Sequence, residues 1–131
     1  MAIDKLLTNR MTIGDRIYEI VSFRRKGEEG CVNREVIITR SKELDASLGE
    51  DDCRHIMEHQ EEIPAIFYGK AVFIFTNWLN RRYKPNCFAC LGYWYNEGPS
   101  WTWGWFWRDP SQVSRHSSRL HGQSYLLRRI K

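Results

Sequence analysis

A chain of 131 residues with 42% hydrophobic and 27% charged residues can bury a core without disulfides or metal to staple it, which excludes global disorder and a minimal disulfide scaffold. No apolar run approaches the roughly 20 residues that span a bilayer, and the charged first residues lack a signal-peptide core, so the chain reads as one cytoplasmic domain over residues 1–131, with no membrane partner. The net charge of +4 is uneven: residues 1–69 carry 10 Lys and Arg against 14 Asp and Glu, and residues 70–131 carry 10 against 2, a basic half suited to polyanions or to pairing with an acidic surface.

In chain order, residues 14–24, with Ile17, Tyr18, Ile20, Val21 and Phe23, are rich in β-branched and aromatic types and read as a strand. The turn "RKGEEG" leads into "VNREVIITR", residues 32–40, whose alternation reads as a second strand closing a hairpin. Gly49 and the acidic run Glu50, Asp51 and Asp52 suit a helix N-terminus, and Cys53, Ile56, Met57 and Gln60 share a side of a short helix that ends before Pro64. "GKAVFIFTNW" is apolar on both faces and reads as a buried central strand. "CFACLGYWY" and "WTWGWFWRDP" form a long hairpin, and "SYLLRRI" is a last strand. The expected fold is α+β: a twisted, mainly antiparallel sheet of about five to six strands with one short helix packed on a face, an open barrel being the variant.

Tryptophan occupies every second position from Trp101 to Trp107. With a loop at residues 96–100, Tyr95 falls opposite Trp101, Tyr93 opposite Trp103, Leu91 opposite Trp105 and Ala89 opposite Trp107, all on one face. Gly92 then meets Gly104 on the other face. A one-residue slip would instead set the Trp row beside Phe88, Cys90, Gly92 and Trp94. Such a row is either a heavy core or a stacking platform. Arg81, Arg82 and Lys84 precede the hairpin, Arg108, Arg115 and Arg119 follow it, and Arg128, Arg129 and Lys131 end the chain, so the aromatic row has phosphate-binding cations around it.

Three further patterns carry chemistry elsewhere. "HIMEH", His55 to His59, resembles the inverted zinc-protease order, in which two histidines bind zinc and a glutamate is the base, but Glu97 is the sole glutamate past Glu62 to complete it. "CFAC", Cys87 to Cys90, has zinc-knuckle spacing with "CRH" as its nearest complement, yet sits in a strand where those cysteines point to opposite faces; buried thiols are the default. "SRHSSRLHG" offers His116 and His121 beside Arg115 and Arg119, the components of metal-free RNA cleavage. None outweighs a bland surface role. The expectation is a small non-enzymatic binding domain without metal or cofactor, whose ligand is single-stranded nucleic acid held by Tyr93, Tyr95, Trp101, Trp103, Trp105 and Trp107 with the flanking basic residues. The alternatives are a protein-interaction or self-assembly module, including a homo-oligomer, and a pocket for a small aromatic or cationic ligand.

Overall fold

The computed structural model describes residues 9–25, 32–82, 87–94, 100–106 and 123–130. Strands β1 (Arg10–Ile13) and β2 (Arg16–Val21) form the first hairpin, with Met11, Ile13, Tyr18 and Ile20 turned to the core. The turn between them requires Gly14: its φ is 60°, and a Cβ there would sit 2.9 Å from His55 Cε1. β2 therefore pairs with the segment before it, and the expected partner strand at residues 32–40 is a helix.

That helix, α1 (Arg34–Glu43), starts at Asn33, whose side-chain oxygen accepts from Val36 N at 3.0 Å. It ends in a Schellman motif: Ala46 N–H donates to Ser41 O, Asp45 N–H donates to Lys42 O, and Asp45 takes the left-handed conformation at φ 54°. Helix α2 (Glu50–Glu58) follows, its acidic first turn as read from the sequence, and two 3-10 turns (Gln60–Glu62 and Ala65–Phe67) lead to β3 (Ala71–Asn80). β4 (Cys87–Trp94), β5 (Ser100–Phe106) and β6 (Gln123–Ile130) complete the described elements.

Among the described residues the strands make one six-stranded mixed sheet in the order β1-β2-β6-β3-β4-β5, antiparallel at every junction except the parallel pair β6 and β3. The sheet is open, so the barrel variant does not hold. β3 is central and buried on both faces from Ala71 to Thr76, as its unbroken apolar run implied. One face, with Val72, Ile74, Phe88, Cys90 and Leu126, packs under α1 through Ile37; the other, with Phe73, Phe75, Ala89, Leu91 and Tyr125, packs under α2 through Cys53 and Ile56. The expected short helix is α2; among the described residues a second helix, α1, lies on the opposite face.

The aromatic hairpin forms with a register two residues from the expected one. Tyr93 pairs with Trp101, Leu91 with Trp103 and Ala89 with Trp105, while Cys90 meets Gly104 and Gly92 meets Thr102. An even shift keeps every side chain on its expected face, so the Trp row still shares a face with Tyr93. The expected Gly92–Gly104 gap is not formed.

β3 carries an irregularity with consequences for the site. Phe75 pairs with Ala89 but Leu79 with Phe88, so three residues of β3, Thr76 to Trp78, face no advance along β4. Thr76 turns to α1, donating to Ser41 Oγ at 2.7 Å, and Asn77 N–H donates to Leu48 O at 2.9 Å. Trp78 is delivered to the α2 face, where strict alternation from Phe75 would have sent it to the α1 face.

Candidate functional site

The Trp row divides. Trp101, 3% exposed, stacks on Phe73 at 5.7 Å with the rings 10° from parallel and takes Tyr68 and Tyr93 edge-on. Its backbone N–H donates to Gln60 Oε1 at 3.1 Å, and its buried Nε1 meets no acceptor among the described residues. The 3-10 turns and Tyr68 cover this end of the row, and Tyr68 stacks on Tyr93 at 4.6 Å. Trp101 is therefore core.

Trp103 and Trp105 are only half-buried and converge on Trp78. Ring centroids are 4.9 Å apart for Trp78–Trp103, 5.1 Å for Trp78–Trp105 and 5.2 Å for Trp103–Trp105, the last two edge-to-face. Such contacts contribute about 0.5–1.5 kcal/mol each beyond area burial, so the three indoles support one another as a rigid group. From α2, the Arg54 guanidinium lies over the Trp78 ring, 5.5 Å from its centroid, with its Nε donating to Glu50 Oε2 at 2.6 Å. Both contacts are weak: an exposed cation–π contact contributes about 0.5–1 kcal/mol and an exposed i,i+4 ion pair about 0.3–0.5 kcal/mol.

Of the expected basic surround, Arg81 and Arg82 lie just past β3 and are exposed, with no carboxylate within ion-pair reach among the described residues. The register places them at the end of the sheet where Asn80 meets Cys87, one step beyond the pairing of Leu79 with Phe88. Tyr95, Lys84, Trp107, Arg108, Arg115, Arg119, His116, His121 and Lys131 lie outside the described residues, as do Cys31 and Glu97.

Arg128 and Arg129 have other uses than phosphate. Arg128 donates from Nε and Nη2 to Glu19 Oε1 and from Nη1 to Leu44 O, holding the C-terminus of α1 to the β2–β6 pair. On the opposite face, Asp52 Oδ1 accepts from Tyr18 OH at 2.7 Å and Arg16 Nη1 at 3.2 Å, and Arg129 Nη1 is 3.7 Å away. Burial, and then the bond to the Asp52 carboxylate, push the Tyr18 phenol far above its usual range, so Tyr18 is a neutral donor that satisfies a buried acid.

Of the two histidines of "HIMEH", His55 holds the first hairpin and His59 turns back on its own helix. His55 Nε2 donates to Ile13 O at 2.7 Å, His59 Nδ1 donates to His55 O at 3.0 Å, and Gly14 N–H donates to Glu62 Oε1 at 2.8 Å. The bond to the His55 carbonyl, reinforced by the carboxylates of Glu62, Glu61 and Glu58, holds the half-buried His59 above the ordinary imidazole value. Joining "CFAC" to "CRH" through zinc is contradicted, because Cys53 is buried on the α2 face and Cys90 on the α1 face of the sheet. Burial pushes the Cys53 thiol up to about 12. Among the described residues, no group of three or more His, Cys, Asp or Glu is arranged to hold a metal ion, and no helix is long and apolar enough to cross a membrane.

Sequence reasoning missed Trp78, Tyr68, Arg54 and Glu50. The i,i+4 spacing of Glu50 and Arg54 marks a helix-surface pair, but nothing local says that an indole lies beneath it. Comparison of the chain with family models, curated proteins and solved structures returns no match, so the site must be read from its own geometry.

Proposed function

We propose that the protein is a small, non-enzymatic binding domain that holds single-stranded nucleic acid on the Trp78–Trp103–Trp105 cluster and the cations around it. The observation that carries this reading is the cluster itself: three half-buried indoles in mutual contact, one of them, Trp78, under a guanidinium, with exposed Arg81 and Arg82 following Trp78 closely in the chain. A stacked base contributes about 1–3 kcal/mol, more than the exposed contacts that now occupy the Trp78 ring, so bases compete well for the platform. The net +8 carried by residues 70–131 favours a polyanion over a neutral ligand. Trp101, buried, and Tyr93, partly buried, which the sequence grouped with the platform, serve here as its support.

Tryptophan emission titrated with oligothymidylate and oligoadenylate, as DNA and RNA, at low and moderate salt tests the reading. The expected result is partial quenching whose affinity falls steeply with salt, because neutralised phosphates release counterions. Trp103→Ala should weaken it while the fold survives. Emission indifferent to every oligonucleotide at low salt defeats the proposal.

A protein partner is the second reading, favoured by one observation: among the described residues β5 has a neighbour, β4, on one side only. An edge strand beside half-exposed indoles is a template for strand addition. Such association resists salt and shows on a sizing column.

A further inference from the structure

We infer that Arg54 and Trp78 are the two leaves of a clamp that takes one unpaired nucleobase between guanidinium and indole. The inference rests on the nucleic-acid reading and assigns the ligand class to a particular pair within it. Three observations carry it.

The first is spacing. The guanidinium carbon stands 5.5 Å from the Trp78 centroid, near the outer limit of about 6 Å for a cation–π contact, so the leaves are already loosely parted. A base stacked on both sides needs two steps of about 3.4 Å, roughly 7 Å in all. Opening by that difference takes only side-chain torsions of an arginine that is 61% exposed.

The second is how the upper leaf is held. Arg54 is tied by its Nε alone, to Glu50 Oε2 at 2.6 Å, and its Nη groups donate to no acceptor among the described residues. The flat face is left for stacking and the outer edge for the phosphate that accompanies every base. The tether spans one helical turn with both partners half-exposed or more, so it aims the guanidinium without locking it.

The third is the lower leaf. Trp78 is wedged against Trp103 at 4.9 Å and Trp105 at 5.1 Å, and the extra residues of β3 turn it toward α2, so it does not retreat when a ring presses on it. A flat ring with a neighbouring anion meets all the features of this pair, whereas an aliphatic side chain meets none beyond apolar contact.

The test is binding of an oligothymidylate carrying one fluorescent purine analogue, with Arg54→Ala and Arg54→Lys compared against the unaltered protein. Stacking of the analogue against Trp78 should quench it. Arg54→Ala should lose about tenfold in affinity, the share of one modestly stacked base, together with much of the quenching. Arg54→Lys should recover only part of the affinity, through its charge, and stay near the alanine variant in quenching, because an ammonium has no plane to stack. Full rescue by lysine would reduce Arg54 to a phosphate contact and overturn the clamp, and so would an alanine variant that binds and quenches as the parent does. In both cases the nucleic-acid reading stands. If the unaltered protein binds no oligonucleotide, that reading fails and the clamp falls with it.

Discussion

At the scale of single residues, Trp101 and Trp103 show how two positions of one row acquire different roles. Trp101 is sealed between Phe73, Tyr68 and Tyr93, and Trp103 shares a half-open group with Trp78 and Trp105. Replacing Trp101 by alanine leaves a cavity among rings that cannot collapse, an expected loss of about 3–5 kcal/mol. Trp103→Ala removes a wall already partly in water and should cost about 1–2 kcal/mol. Urea unfolding of the two variants checks this, with a large fall in midpoint for the first and a small one for the second at unchanged slope. Equal midpoints would mean that the row is uniform. Alternation was sufficient to put both indoles on one face, because side-chain direction follows from backbone geometry. Depth was not legible, since the 3-10 turns that cover Trp101 come from residues 60–67, far away in sequence. Trp78 was illegible for a stronger reason: the irregularity in β3 reverses the face that its position implies.

At the scale of elements, α1 is the segment whose local pattern and final state disagree. Val36, Ile37, Ile38 and Thr39 are β-branched and lower helix propensity, and apolar residues fall on both sides of the helix, so residues 32–40 read as a strand. Two terms outweigh that preference. Ile37 is buried in one core cluster with Val72, Ile74 and Leu126 of the sheet, which rewards the helix only after the sheet exists. The caps supply the rest: Asn33 at the start, the Schellman bonds of Asp45 and Ala46 at the end, and Arg128 on the Leu44 carbonyl. The capping signs were present in the sequence, as Asn33 with Glu35 behind it and Arg40 and Lys42 in the last turn, but the alternation was the louder signal. A helix of such poor intrinsic propensity should lean on its cap. Asn33→Ala is expected to cost about 1 kcal/mol of global stability, read from the shift in the thermal midpoint. No shift would mean that packing alone holds the helix.

At the scale of the molecule, the sheet order puts the last strand of the chain in the middle. β6 pairs antiparallel with β2 through Ile17–Ile130 to Val21–Leu126 and parallel with β3 through Ala71–Gln123 to Ile74–Leu126, so among the described residues the first hairpin and the β3-β4-β5 meander touch within the sheet only through it. The strands themselves were largely legible, because each announces itself by local pattern; their neighbours were not, because alternation says which face a residue takes and nothing about which strand lies alongside. The topology has a consequence for folding. β6 buries Ser124, Tyr125, Leu126 and Leu127, with Leu126 in one core and Tyr125 and Leu127 in the other. Without it both cores lose a wall, and β2 and β3 each expose an edge over buried-type side chains. A chain stopped at residue 122 is therefore expected to show no cooperative thermal transition and to bind a dye specific for exposed apolar surface, while the full chain unfolds in one step. Supplying residues 123–131 as a separate peptide should restore the transition, since the missing contacts are those of one contiguous strand. A truncated chain that melts sharply by itself would mean that β2 and β3 close the gap directly, and that β6 is an addition to the sheet rather than the strand that joins its halves.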